Sequence, residues 1–365
     1  MKVLSVISSL SVKNGGPPEV LKNHLEVINK KKKIISVFRT DNITLYFLVK
    51  CLLNYKLKKK FNKFLKKYDV IHFHEIWSLK NIIIIYFARK LLCKYLFVGH
   101  GHLDQWSLRQ SSFKKKIFIN IFLKSALKSA SAIFFSNFKE FEDAKKNFRL
   151  NNVFIIPNGI NIARFKNSNK KSIQRKKIVF FGRIHKKKGI EILLEAITKL
   201  PETYFEKYFF EICGPGEKKY VNFIKQIINK NDFKNKLQFK DFVDRENKIK
   251  YLSEASIFVL PSYEEGDSIA LKEALAMSIP VIISSQCRMS IVEKTNSGVV
   301  FELSAQNLYN ALIKISHDDI ELMGKNARKL IENKFDNIDC SERVLHIYKD
   351  IMCGTKTSKD WIYER

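Results

Sequence analysis

Residues 261–280 read P-S-Y-E-E-G-D-S-I-A-L-K-E-A-L-A-M-S-I-P, directly after the apolar run Ala255-Ser-Ile-Phe-Val-Leu260. The run predicts a buried strand that ends at Pro261. Gly266, the cap pair Asp267 and Ser268 and the apolar residues from Ile269 predict a tight loop that opens a helix. A strand, a tight loop and a helix N-terminus together expose unpaired backbone N–H groups, which form an anion site. Glu265 stands in the loop and Glu273 in the helix, with seven residues between them. Both are predicted to face a ligand held there. Carboxylates accept hydrogen bonds from the hydroxyls of a neutral sugar, and backbone amides suit a diphosphate.

The same strand-then-helix unit recurs along the whole chain. Expected strands are Lys2–Ile7, Ile34–Phe38, Val70–Phe73, Tyr95–Gly99, Ala132–Phe135 and Val153–Ile156. A second series follows at Lys177–Phe181, Phe209–Cys213, Leu237–Phe239, Ser256–Leu260, Pro280–Ile283 and Gly298–Phe301. Alternation of this kind implies parallel sheets with crossover helices. Two series in tandem imply two Rossmann-like domains, separated near the polar basic run Lys166–Lys176. With 365 residues the chain is long enough for two real cores. The six cysteines show no metal-ligand spacing, which argues for reduced thiols and a cytoplasmic protein. Met1-Lys-Val-Leu-Ser-Val-Ile is read as a first strand rather than a signal peptide, because no small-residue cleavage site follows. No apolar run reaches transmembrane length; Ile82–Ala88 is too short. The net charge of +30 is extreme. Part of it fits compositional bias on solvated faces. The rest points to an anionic partner: a membrane surface, a phosphorylated substrate or nucleic acid.

The Glu265/Glu273 block resembles the E-x7-E signature of retaining GT-B glycosyltransferases of the family-four (group 1) type. Glu273-Ala-Leu-Ala and Ile279-Pro-Val-Ile282 fit the same pattern, as does Ile155-Ile-Pro-Asn-Gly-Ile-Asn-Ile-Ala-Arg-Phe165. Asp267-Ser268 departs from the family's usual Phe-Gly. Phe180-Phe-Gly-Arg-Ile-His-Lys-Lys-Lys-Gly189 resembles the family's G-R-x4-K-G element, whose two cations beside a strand–helix junction suit a pyrophosphate. The resemblance assigns Arg183 and Lys188, next to Gly182, to the donor diphosphate. It assigns Glu265 to the sugar hydroxyls, Glu273 to the ribose, and Gly266, Asp267, Ser268 and Ile269 to the same binding loop. Cys213-Gly-Pro-Gly-Glu217 resembles a G-x-G-x-E turn near the nucleotide. Phe242 and Val243 stand where the family holds the base, although Asp241 replaces the usual glycine.

In the first half Gly15 and Gly16 follow the first strand, and the resemblance places them opposite the donor. They do not form a G-x-G-x-x-G, which weighs against a dinucleotide oxidoreductase. Val98-Gly-His-Gly-His-Leu-Asp-Gln-Trp106 resembles the H-G-x-L-D-x-W element of the family's cell-surface polysaccharide branch. This makes His100 an active-site histidine and puts Asp104 and Trp106 on the acceptor side. Val70-Ile-His-Phe-His-Glu-Ile-Trp77 resembles that branch's H-x-H-x-x-W run. His72 and His74 are expected on opposite faces of their strand, unable to share one metal, and are read as structural or acceptor-proximal. No D-x-D occurs. Arg183, Lys188 and a helix N-terminus supply positive charge instead, so no obligatory metal is expected.

The expected architecture is therefore α/β of GT-B type: two Rossmann-like domains whose parallel sheets face an interdomain cleft. The N-terminal acceptor-side domain is expected over 1–166 and the nucleotide-sugar domain over 172–344. A last helix, about 345–365, should pack back on the first domain. The resemblance implies hexose transfer from a UDP- or GDP-linked donor to a glycan or polyprenyl-diphosphate-linked acceptor, with no cofactor and no nucleic acid. Two other readings use the same fold: a catalytically silent scaffold that binds polyanions, favoured by the charge, and a sugar-nucleotide hydrolase or epimerase. The intact Glu265, Glu273, Arg183, Lys188 and His100 set disfavours the first; the second needs an acid/base for which no residue stands out. Residues 53–68 put Leu53, Leu57, Phe61, Phe64, Leu65 and Tyr68 on one helical stripe among lysines, and 113–128 repeat the theme. Such stripes either pack on the first sheet or dock on anionic lipid.

Overall fold

The computed structural model describes residues 1–11, 16–30, 33–103, 108, 113–165, 176–231, 233–240, 243 and 245–354. Gly15, Asp104, Trp106, Asp241 and Phe242 lie outside the described residues, as does the 166–175 run. The chain forms two compact units, Met1–Gly159 with Asn337–Arg365, and Ile160–Asp336. Sequence patterns put the passages between domains at 166–172 and 344–345; by compactness they fall at Gly159/Ile160 and Asp336/Asn337.

The first unit holds a six-stranded parallel sheet of β1 (Val3–Ile7), β2 (Ile35–Arg39), β3 (Val70–Phe73), β4 (Lys94–Val98), β5 (Ala132–Phe135) and β6 (Val153–Ile155). Its order is β2-β1-β3-β4-β5-β6, so the direction of winding reverses between β1 and β3. The second unit repeats the plan with β7 (Lys176–Phe181), β8 (Tyr208–Cys213), β9 (Leu237–Lys240), β10 (Ile257–Leu260), β11 (Val281–Ser284) and β12 (Gly298–Phe301). Here the order is β12-β11-β10-β7-β8-β9, and the reversal lies between β7 and β10. All twelve expected strands are present, each with ends within one residue of the expected ones. Ligands of open α/β sheets bind at the carboxyl ends of the strands, at such reversal points. That locates a site on the loops after β7 and β10 before any side chain is considered.

Each sheet is covered on both faces, as parallel sheets require. In the first unit Leu4, Val6, Ile71, Phe73 and Phe97 pack under the helices Leu45–Leu53, Tyr55–Leu65 and Leu79–Lys90. Val3, Val70, Leu96, Val98 and Phe134 point the other way. They meet Ile28 of the helix Gly16–Ile28 and Val344, Ile347, Tyr348 and Ile351 of the helix Asn337–Cys353. The last described helix thus belongs to the first unit, against the helix Gly16–Ile28. Asn23 fixes its start: the Asn23 carbonyl accepts from Asn337 Nδ2 at 2.9 Å, and Asn23 Nδ2 donates to the Gly159 carbonyl at 3.1 Å. The stripe on residues 53–68 is mostly core. Phe61 and Leu65 are buried, and Leu57, Phe64 and Tyr68 pack half-buried beside them. Among the described residues no helix is long and apolar enough to cross a membrane.

Candidate active site

The loops after β7 and β10 are fitted to one another backbone to backbone. After β7 the chain runs through Gly182, Arg183 and His185 into a 3-10 turn, Lys186–Lys188, and then Gly189. Gly189 has φ +62, and a Cβ there would lie 2.0 Å from the Pro261 carbonyl oxygen. Only glycine meets both demands. The Tyr263 N–H donates to the Lys187 carbonyl at 2.8 Å and closes the contact. This brings Lys188 onto Glu265: Nζ lies 2.5 Å from Oε1. Ser262 Oγ donates to the same oxygen at 2.6 Å, and Ser284 Oγ donates to the Ser262 carbonyl at 2.6 Å. The Glu265 N–H donates to the Gln286 carbonyl at 3.1 Å. Glu265 is thus held from three directions while 8% exposed. The sequence reading gave Lys188 and Glu265 separate partners on the ligand; in this structure they are each other's partners.

Arg183 is exposed, directly after Gly182, whose N–H donates to the Cys213 carbonyl at 3.1 Å. His185 caps the 3-10 turn through Nδ1, which accepts from the Lys187 N–H at 3.1 Å. Burial lowers its pKa, and the charges of Arg183, Lys187 and Lys188 lower it further. Arg183, Lys187 and Lys188 together put positive charge at the end of β7, as an anion site needs.

The helix Ile269–Ala276 supplies the second acid. Ser268 is its N-cap, its hydroxyl accepting from the Leu271 N–H at 3.4 Å, and Ile269 is its first residue. Gly266 stays partly exposed in the loop before it. Glu273 is 4% exposed, and its carboxylate is paired with Lys248 of the helix Arg245–Ser253. The Lys248 ammonium also lies 6.0 Å from the centre of the Phe181 ring. Asp267 is bonded to Lys272, Nζ to Oδ1 at 2.6 Å, and Lys272 is fully buried. Glu264 pairs with Arg288. Val243, half-buried against the second core, is the described part of the expected base loop.

In the first unit His100 follows β4 with φ +47, a conformation that non-glycine residues rarely adopt. Its loop is tied down by Glu140 of the helix Phe138–Lys145: Oε1 accepts from the Gly101 N–H at 2.5 Å. Oε2 accepts from Ser136 Oγ at 2.9 Å. Gly99 has no room for a side chain, since a Cβ would stand 2.4 Å from that carboxylate. The expectation that His72 and His74 point apart is wrong. Residues two apart on a strand share a face, and the two rings stack at 4.2 Å with 25° between their planes. His74 stacks in turn on His100 at 5.9 Å and 23°. Gly16 is the first residue of the helix Gly16–Ile28. Among the described residues, no three His, Cys, Asp or Glu side chains are arranged to hold a metal.

Two family profiles match the chain. Residues 161–336 match "Glycosyl transferases group 1", and residues 18–164 match "Glycosyltransferase Family 4". The chain belongs to the group 1, family 4 glycosyltransferases. It is 26% identical over 331 residues to the Escherichia coli UDP-Gal:alpha-D-GlcNAc-diphosphoundecaprenol alpha-1,3-galactosyltransferase, covering 85% of this chain and 82% of that one. It is 25% identical over 305 residues to the O-antigen biosynthesis glycosyltransferase WclY of Escherichia coli, covering 78% and 80%. Among solved structures, HepE of Anabaena in complex with UDP and glucose superposes with a TM-score of 0.78 at 17% identity, over 96% of this chain and all of that one. The two six-stranded parallel sheets are therefore those of a GT-B glycosyltransferase.

Sequence reasoning missed four residues that hold the candidate residues, two in each unit: Lys248 on Glu273 and Ser262 on Glu265 in the second, Glu140 under the His100 loop and Tyr348 on His72 in the first. Ser262 stood inside the quoted block. The other three sit on helices that only the fold brings to the strand ends.

Proposed function

We propose that this glycosyltransferase moves a hexose, with retention at the anomeric carbon, from a UDP-sugar to a hydroxyl of a lipid-linked or growing glycan in cell-surface polysaccharide synthesis. The bond from the anomeric carbon to the donor phosphate breaks. A bond to the acceptor oxygen forms, and the acceptor proton leaves with the nucleoside diphosphate. Arg183 and Lys188 carry the departing diphosphate, the main electrostatic contribution. Glu265 takes the sugar hydroxyls, Glu273 the ribose, and His100 a further sugar hydroxyl. The Gly182 and Gly266 backbones, with Asp267, Ser268, Ile269 and Val243, shape the donor loop.

The observation that carries this reading is the ion pair between Lys188 and Glu265 at the reversal point of the second sheet. It joins a cation for phosphate to an acceptor for hydroxyls, the two halves of a sugar diphosphate. UDP is preferred over GDP because UDP-Gal stands in the name of one relative and UDP is bound in a solved neighbour. The basic exposed helices of the first unit favour an anionic membrane surface as a further partner.

The test is release of UDP or GDP from a panel of nucleotide sugars with polyprenyl-diphosphate-linked glycan acceptors, with and without excess chelator. One UDP-hexose should turn over, and chelator should leave the rate unchanged, because lysine and arginine take the place of a metal. Glu273→Ala and Arg183→Ala should each lower kcat by roughly 10²–10³-fold. Wild-type rates in both variants would remove the site assignment, and a strict Mg²⁺ or Mn²⁺ requirement would remove the metal-free diphosphate site.

A further inference from the structure

We propose that His74, and His72 behind it, are positioning residues for the His100 ring, anchored at the far end by the hydroxyl of Tyr348. The proposal rests on the reading of His100 as a sugar contact.

One face of the first sheet is apolar toward the amino ends of its strands, where Val3, Val70 and Leu96 meet Ile28 and Ile347. Toward the carboxyl ends the same face turns polar. Ser5, His72 and His74 are fully buried there, and His24 of the helix Gly16–Ile28 is 6% exposed. Ser5 stands opposite His72 in the β1–β3 register. Apolar side chains normally fill such a layer.

The imidazoles form a column. His72 Nδ1 is 2.6 Å from the hydroxyl of the fully buried Tyr348. Its ring is also met edge-on by Phe134 at 5.5 Å and by Tyr348 at 5.7 Å, so its orientation is fixed. His74 lies flat on it at 4.2 Å, with its backbone N–H bonded to the Val6 carbonyl at 3.0 Å. His100 lies nearly parallel beyond, at 5.9 Å. Neither ring nitrogen of His74 has a hydrogen-bond partner in the structure.

The column gives the His100 ring what Glu140 gives its backbone. Glu140 fixes the Gly101 N–H, and the Phe134 carbonyl accepts from the Gly99 N–H at 2.8 Å, which sustains the unusual φ of His100. The stack then sets the plane of the imidazole. A hydrogen bond from a ring nitrogen to a sugar hydroxyl is directional, and a fixed plane removes the ordering cost at the moment of reaction.

The test uses the full-length protein with ¹³C,¹⁵N-labelled histidine, the His100 ring resonances assigned by their loss in His100→Gln. Tyr348→Phe removes one oxygen and keeps the packing; His74→Ala removes the stacked ring; His74→Phe keeps a stacked ring. The first two should shift the His100 resonances. They should also lower kcat with the selected UDP-sugar by about tenfold, with donor KM within about twofold. His74→Phe should bring kcat back to within about threefold of wild type. Unmoved His100 resonances in Tyr348→Phe overturn the proposal, and so does unchanged kcat in a folded His74→Ala. If His74→Ala does not fold, Tyr348→Phe decides alone. Wild-type kcat in His100→Gln removes the underlying role of His100 itself, and the resonance shifts then show which of the two ideas failed.

Discussion

At the scale of single residues, the departure of Asp267-Ser268 from Phe-Gly has a physical explanation in Lys272. That lysine is fully buried on the helix Ile269–Ala276, its ammonium 4.2 Å from the centre of the Phe335 ring and 2.6 Å from Asp267 Oδ1. Desolvating an ammonium costs several kcal/mol unless a partner is well placed. Asp267 is such a partner, so its carboxylate is a structural group before it is a binding one. Asp267→Ala should cost on the order of 3 kcal/mol, because it removes a carboxylate bonded to a buried ammonium. Lys272→Met should cost less, and Lys272→Met added to Asp267→Asn should recover most of the loss. Urea unfolding of the four proteins checks this; an Asp267→Ala variant as stable as wild type would refute it. The case also shows where sequence reading stops. Glu265, Glu273, Arg183 and Lys188 were legible because motif spacing marks them. Their partners were not, since Lys188 and Glu265 are 77 positions apart and His72 and Tyr348 are 276 apart. The error on His72 and His74 was one of strand geometry, not of information: a period of two puts them on one face.

At the scale of elements, strands were legible almost to the residue, because a strand buried on both faces leaves an unbroken apolar run. Helix faces were not, because an amphipathic stripe reads the same whether it meets a sheet or a bilayer. The stripe over residues 53–68 mostly meets the sheet. The neighbouring helix Leu45–Leu53 instead leaves Leu45, Tyr46, Phe47, Val49 and Leu53 exposed, with Tyr46 at 67% and Leu53 at 83%. Tyr55, at 76%, follows. Lys50, Lys56, Lys58, Lys59, Lys60 and Lys63 are exposed along the same two helices. Apolar side chains rimmed by lysines suit an anionic bilayer, each lysine contributing on the order of 1 kcal/mol, less at high salt. Sedimentation with vesicles should therefore show binding that needs anionic lipid and falls with salt. It should also fall when Tyr46 and Leu53 are both changed to Ser, or when four of the lysines from Lys56 to Lys67 become Gln. Equal binding to neutral vesicles, or none to anionic ones, would leave the exposed residues without this role.

At the scale of the whole molecule, the eight histidines divide unevenly, and acid should expose the division. His24, His72, His74, His100, His102 and His346 belong to the first unit, and only His185 and His317 to the second. Burial lowers the pKa of His24 from the usual 6.5 to about 4. Burial also holds His72, His74 and His100 well below 6.5, and each is pushed further by its histidine neighbours. The sign follows from linkage. Above pH 6.5 these imidazoles are neutral whether the chain is folded or not, and pH has no hold on them. Below 6.5 the unfolded chain takes up protons that the folded unit refuses, so stability falls as pH falls, at up to ~1.4 kcal/mol per pH unit for each imidazole. For His24 the loss is complete near pH 4. In the second unit burial and the nearby cations lower His185, which is partly exposed, so its share is small. Hydrogen exchange followed by mass spectrometry at pH 7 and pH 5 should thus show β1, β3 and β4 losing protection while β7, β10 and β11 keep theirs. Carboxylate protonation is a separate contribution that sets in mostly below pH 5. Equal loss in both units, or earlier loss in the second, would mean that the imidazole column of the first unit is not held neutral by the fold.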